Sequence, residues 1–318
     1  MKPSAAIWYN TGVNLEELNS RYGAPGRIAF RTGFAGYPNA VLACRYGTAE
    51  VALLGGNVLS YRPTGQSPVI FRPARQDAEY NRGDKFHGGI PVCWPQFGNR
   101  FSKELPQHGF ASKLVFDVRA SEYSEDMTGL TIGLKSTEET LKLWPHEFDL
   151  ELEISVTMKL NLTLRTKNTG AAPFDFSCGF HPYFTLRERD AATVRGTDGL
   201  ECLLAAREGD LGVRSGDIAL DYAPDDVFAL PDAPKHAFAV IDPGLRRAIA
   251  VVSSGNTRQV VWNCGSAEKP VDFGTEDWRR YVCVEPVSDW PGGRTLAPGE
   301  THTLTVAIQS SMEEGEPS

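Results

Sequence analysis

The sequence predicts an all-β protein, a large antiparallel β-sandwich with few short helices, and three observations carry that expectation. Apolar and polar residues alternate over long stretches, the period of a strand with one buried face. Amphipathic helical periodicity is scarce. Turn formers are frequent, with 31 glycines and 21 prolines in 318 residues, as many short strands joined by tight turns require.

In chain order, Leu15–Tyr22 carries a short helical pattern with Asn14 as its cap. Strand candidates follow at 50–54, 114–118 and 130–134. From position 150 to 164 every even position is apolar: Leu150, Leu152, Ile154, Val156, Met158, Leu160, Leu162 and Leu164. A run of that length would extend about 50 Å, too long for one ordinary strand. A tight hairpin is therefore expected near 158–161, with Asn168-Thr169-Gly170 as a closing turn. Further strands are expected at 237–241, 248–253, 259–262, 280–285 and 302–308, with Asp242-Pro243-Gly244 as a hairpin turn. No internal repeat is present. Sandwiches often exceed about 200 residues as one domain. Residues 1–318 are therefore read as a single domain, with 1–44 as an extension packed on it and 312–318 as an acidic, frayed tail.

Composition narrows the function. Hydrophobic residues make up 41% of the chain, ample for a core, and the net charge of −8 argues against nucleic acid or an anionic membrane as partner. Six cysteines lack C-x-x-C spacing, so reduced, buried thiols are expected. Met1-Lys2-Pro3-Ser4 opens no apolar segment, and no run approaches about eighteen apolar residues. The expectation is a cytoplasmic monomer.

Glu285 stands in Tyr281-Val282-Cys283-Val284-Glu285-Pro286, a carboxylate at the end of an apolar run, before a proline expected to stop the strand. Such an acid is costly to desolvate without a partner or a job. His181, in Ser177-Cys178-Gly179-Phe180-His181-Pro182-Tyr183-Phe184, is the natural partner. A carboxylate and an imidazole so held suit proton shuttling at neutral pH. The segment Phe86-His87-Gly88-Gly89-Ile90-Pro91-Val92-Cys93-Trp94-Pro95-Gln96-Phe97-Gly98-Asn99-Arg100 fits neither period. Its glycines and prolines make a rigid loop whose backbone can approach a ligand. Leu105-Pro106-Gln107-His108-Gly109-Phe110-Ala111 follows it.

Taken together with Gly55-Gly56-Asn57 and Val260-Val261-Trp262-Asn263, these motifs resemble the aldose 1-epimerase (galactose mutarotase-like) superfamily. The nearest branch is the glucose-6-phosphate 1-epimerase, or hexose-6-phosphate mutarotase, group. The likeness spans roughly residues 45–310 in the same order. It implies a galactose mutarotase-like supersandwich with an open sugar-binding cleft, His181 as catalytic acid and Glu285 as catalytic base. It also implies Asp225 (Asp226 if the loop register shifts by one) as the substrate aspartate and Gln107 as a substrate contact. The implied reaction interconverts α and β anomers of an aldohexose such as glucose 6-phosphate, with no cofactor and no metal. A neutral-sugar aldose 1-epimerase and a non-catalytic carbohydrate sensor are the alternatives on this fold.

Two positions depart from the branch. His87 and Ser112 stand where it usually carries arginines, and hydrogen bonds to charged groups contribute about 1.5–3 kcal/mol each. Arg100, Lys113, Arg82 or Lys85 are candidate replacements, and His87 can donate to phosphate itself. His108 is divided evenly between ligand contact and turn support. Trp94, Phe97 and Trp262 are divided between sugar stacking and core. A glycoside hydrolase would need two carboxylates facing across a cleft, which Glu285 and Asp225 could imitate. The six histidines show no H-x-H, against a cupin-like metal centre.

Overall fold

A computed structural model describes residues 14–33, 36–73, 87–99, 102–204, 212–267, 270, 272–290 and 292–312. The long alternating run is a hairpin of Phe148–Val156 and Leu160–Asn168, in register from Val156 opposite Leu160 to Phe148 opposite Asn168. Burial alternates along both strands, as the sequence pattern demands. On the outer face Arg165 reaches Glu151 and Glu153, each at 3.0 Å. This hairpin sits inside a nine-stranded antiparallel sheet, between Thr301–Met312 on one side and Thr128–Lys135 on the other. Its apolar face packs into the main core, where Leu150, Leu152, Ile154 and Leu160 are fully buried.

A four-stranded meander of Ile28–Thr32, Pro38–Cys44, Gly47–Ala52 and Asn57–Pro63 contributes Leu42, Val51 and Tyr61 to the same core. Residues 28–44, expected as part of an extension, thus supply two strands of this sheet. Met312, counted with the tail, closes its strand opposite Arg247, and 313–318 lie outside the described residues. Leu15–Tyr22 is helical, with the Asn14 side chain accepting from Glu16 N at 2.9 Å and Glu17 N at 3.4 Å. A second helix, Glu138–Leu143, starts on a capping box between Thr137 and Thr140. Its Thr-x-x-Thr spacing departs from the usual Ser/Thr-x-x-Glu/Gln signature, and the six-residue helix is too short for its periodicity to stand out. No helix among the described residues is long and apolar enough to cross a membrane.

The seven-stranded sheet positions the site. Its order is Cys202–Leu204, Asp225–Ala229, Arg258–Trp262, Tyr281–Ser288, Cys178–Phe180 and Val92–Cys93, with Tyr183–Thr185 also paired to Tyr281–Ser288. Pro286 does not end its strand, contrary to expectation; the strand continues to Ser288. The reason lies in its pairing. Val287 O accepts from Thr257 N at 3.0 Å, so the backbone of the preceding residue faces the opposite edge. There the ladder is interrupted between Cys178–Phe180 and Tyr183–Thr185. The proline lacks an N–H where none is needed.

Candidate active site

The interruption brings His181 and Glu285 together. On one side of it Cys178 lies opposite Ser288 and Gly179 opposite Val287; on the other, Tyr183 lies opposite Cys283. The register is the same on both sides, so His181 falls directly across from Glu285. Opposite residues on neighbouring strands share a face. The His181 Nε2 to Glu285 Oε2 distance is 3.5 Å, and the two side chains are 12% and 1% exposed.

Period-two alternation splits this sheet between two environments. Phe180, Phe228, Val261, Val282 and Val284 point into the main core. Their neighbours Val227, Val260, Trp262 and Glu285 point the other way and line a cavity of about 440 Å³, the size range of small-molecule sites. Asp225 lies opposite Trp262 on the cavity side. Asp226 takes the core side, where it is 2% exposed and accepts from the Tyr222 hydroxyl. The strand's facing separates the two aspartates: Asp225 reaches the cavity and Asp226 does not.

The opposite wall comes from the irregular loops. Gln96 ties them, donating through Nε2 to Leu105 O at 3.1 Å and Pro106 O at 2.8 Å while Oε1 accepts from Ser102 N at 2.9 Å. Gly109 must be glycine: a Cβ there would lie 2.0 Å from Trp94 O, and its φ is +74°. His108 itself is left-handed, with φ 63°. Its Nδ1 accepts from Gly98 N at 3.3 Å, and its Nε2 lies 3.5 Å from the Gln107 amide nitrogen. His108 thus braces the turn and also lines the cavity, its ring 5.4 Å from that of His181. Gln107, Ser112 and Lys113 line the same wall.

His87 is at the cavity edge, held by Asp272: Nδ1 lies 2.8 Å from Oδ1, and its backbone N–H donates to Oδ2 at 3.1 Å. Sequence reasoning did not single out Asp272, which is 185 residues away and in no motif. It also passed over Tyr183, whose ring stacks on His181 at 4.8 Å and 12°. The signal for Tyr183 was present: it stands two residues beyond His181, on the same face of an extended chain. Trp94 proves to be core, fully buried with its indole N–H on Thr166 Oγ1 at 3.1 Å, whereas Phe97 and Trp262 line the cavity. Arg100, Arg82 and Lys85 lie outside the described residues.

Burial sets the electrostatics. It pushes the Glu285 carboxyl well above the usual carboxylate range, with the Asp225 charge adding to the shift. It pushes the His181 imidazole well below its usual range, with His108 and His87 adding. Attraction between the two at 3.5 Å would act the other way, but in a dry site desolvation prevails. A protonated acid beside a neutral imidazole and a carboxylate beside an imidazolium hold the same number of protons. The pair can therefore pass between them without exchanging a proton with solvent. Such a pair can give a proton to one oxygen of a bound molecule while taking one from another.

A second hollow, of about 520 Å³, is lined by Glu104, Trp144, His146, Phe174 and Asp175. It includes neither member of the pair.

The sequence profile of the aldose 1-epimerase family matches residues 41–309. A Salmonella typhimurium protein provisionally named glucose-6-phosphate 1-epimerase is 30% identical over 243 residues, covering 75% of this chain and 79% of its own. A Cenchrus ciliaris protein with the same provisional name is 28% identical over 280 residues, covering 82% and 81%. Among solved structures, a provisionally named mutarotase from Salmonella typhimurium superposes with a TM-score of 0.82 at 25% identity, covering 92% and 96%. A galactose mutarotase-like protein from Clostridium acetobutylicum superposes at 0.71 and 18% identity, covering 90% and 98%, a likeness of fold. The chain belongs to the aldose 1-epimerase family and is an isomerase of the epimerase type.

Proposed function

We propose that this protein interconverts the α and β anomers of an aldohexose by acid/base ring opening, with a hexose 6-phosphate as the substrate class. The observation that carries the reading is the cross-strand pair of His181 and Glu285, 3.5 Å apart on the floor of a cavity of hexose size.

Glu285 takes the proton of the C1 hydroxyl while the His181 imidazolium gives one to the ring oxygen, and the C1–ring oxygen bond breaks. The open aldehyde turns about C1–C2 and recloses on its other face, and both proton transfers reverse. The active form is the ion-paired state of the pair, which a sugar favours by donating hydroxyl hydrogen bonds to Glu285. Each positioned acid or base contributes about 10²–10⁴-fold. Asp225 accepts from sugar hydroxyls, and Trp262 and Phe97 border the ring.

Charge is segregated across the cavity, which favours a phosphate at the far end. Asp225 and the His181–Glu285 pair, net neutral in either of its forms, stand on the sheet side, whereas Gln107, His108, Ser112 and Lys113 present polar groups and a cation from the loop side. The provisional names of the curated relatives point to the same substrate class.

Exchange spectroscopy of the anomeric protons of glucose, galactose and glucose 6-phosphate tests the reading. Accelerated exchange is expected, strongest for the phosphate. No acceleration with any sugar overturns the enzymatic reading; acceleration confined to the neutral sugars overturns the phosphate.

A further inference from the structure

We infer that the cavity floor is also a binding site for a thiophilic divalent cation, with Zn²⁺ as the natural probe. His181, Glu285 and Cys283 would supply nitrogen, oxygen and sulfur, and occupancy would shut the acid/base pair down. Binding stands on the geometry of three side chains; the inhibition rests on the acid/base reading above.

The strand register forces this trio together. Cys283 and Glu285 are two residues apart on one strand and share one face of it, Glu285 lining the cavity and Cys283 fully buried just beneath the lining, and His181 lies across from Glu285. One donor atom from each of the three falls within 4.8 Å of the others. A tetrahedral ion with bonds of about 2.0–2.3 Å needs donors roughly 3.3–3.8 Å apart. The His181 Nε2 to Glu285 Oε2 pair is already in that range at 3.5 Å, and the Cys283 sulfur, within 4.8 Å of both, has at most about 1 Å to close. Three protein donors leave a fourth position open toward the cavity, the layout of an accessible rather than a closed zinc site.

The hydrogen bonding of Glu285 points the same way. Glu285 is 1% exposed, yet its Oε2 has no hydrogen-bond partner among the described residues. A buried carboxylate oxygen whose one near partner is the His181 ring at 3.5 Å is poorly satisfied, and a cation between the two relieves that cost. Glu285 and a Cys283 thiolate together cancel the two charges of the ion, while a neutral His181 is the form that ligates. The mixed N, O and S set favours zinc-like ions over calcium or magnesium. Cys93 adds another thiol near both Glu285 and Cys283.

The test uses the full chain and metal alone. Co²⁺ titration of the wild type is expected to give one equivalent with a thiolate-to-metal charge-transfer band in the near ultraviolet, bleached by Zn²⁺. Zn²⁺ is expected to suppress anomer exchange, read against each protein's own metal-free rate. Cys283→Ser, with Cys283→Ala in parallel, is expected to lose the band and weaken Zn²⁺ binding at least ~10-fold. Absence of the band in the wild type, or equal Zn²⁺ affinity in wild type and both variants, overturns the inference. A protein that binds Co²⁺ through Cys283 but exchanges no sugar leaves the cation site standing and defeats the mutarotase reading. One that exchanges sugar but is indifferent to Zn²⁺ does the reverse.

Discussion

Glu285→Gln should move activity and stability in opposite directions, and the structure indicates by how much. The substitution keeps the shape of the side chain and removes its charge. Losing one positioned base costs about 10²–10⁴-fold, or roughly 3–5 kcal/mol of transition-state stabilisation. Folding should gain instead. The carboxylate is 1% exposed, one of its oxygens lacks a hydrogen bond, and burial works against its ionised form. Replacing an ionisable group whose charged form burial disfavours by a neutral one of the same shape is worth about 1–3 kcal/mol, and at ~2 °C per kcal/mol for a chain of this size the melting temperature should rise by a few degrees. Anomeric exchange rates and thermal melts at pH 7 measure the two effects on the same sample. A structural acid bonded into the sheet would behave otherwise, losing stability and activity together. A drop of several degrees in Tm, or exchange within a few-fold of wild type, refutes the reasoning.

The neighbouring aspartates give a paired comparison. Asp225→Ala should raise KM about 10–100-fold, the loss of a hydrogen bond to a charged group, with little change in Tm, while Asp226→Ala should cost about 1–3 kcal/mol in denaturant unfolding by stranding the Tyr222 hydroxyl. His302, 6% exposed, sets a pH dependence of folding: burial and the Arg294 charge lower its imidazole to about 4 from an ordinary 6.5, outweighing Asp289 and Glu300. The unfolded chain therefore binds a proton that the native chain refuses. Stability is complete above pH 6.5 and falls by about 3 kcal/mol as pH drops to 4, and His302→Gln should flatten that slope in urea titrations. Leu152→Ala, at a fully buried position of the central hairpin, should cost about 2–5 kcal/mol in the same assay; a loss below 1 kcal/mol would mean the two layers do not pack there.

The hairpin at 148–168 was legible because its buried positions recur with period two and its length exceeds what a single strand spans. Asn14 and the helix it caps were equally local. The strands at Ile28–Thr32 and Pro38–Cys44 were not, because the second is buried on both faces over its first three residues and so lacks clean alternation. Pro286 misled for a related reason. A proline forbids a ladder hydrogen bond, but whether one is required depends on the partner strand, which is interrupted at that place.

For the site, the sequence by itself determined the chemistry: an imidazole, a carboxylate and a loop stiffened by glycine and proline, in motifs whose order matches a family of sugar isomerases. Only the tertiary structure decided which of these groups meet. His181 and Glu285 are neighbours because two edges of an interrupted ladder keep one register, and Asp225 rather than Asp226 faces the cavity because a strand turns successive side chains to opposite sides. The tie between His87 and Asp272, 185 residues apart, likewise comes from segments far apart in the chain. Such contacts leave no local trace, since periodicity reports which face of an element is buried and not what another element brings to it.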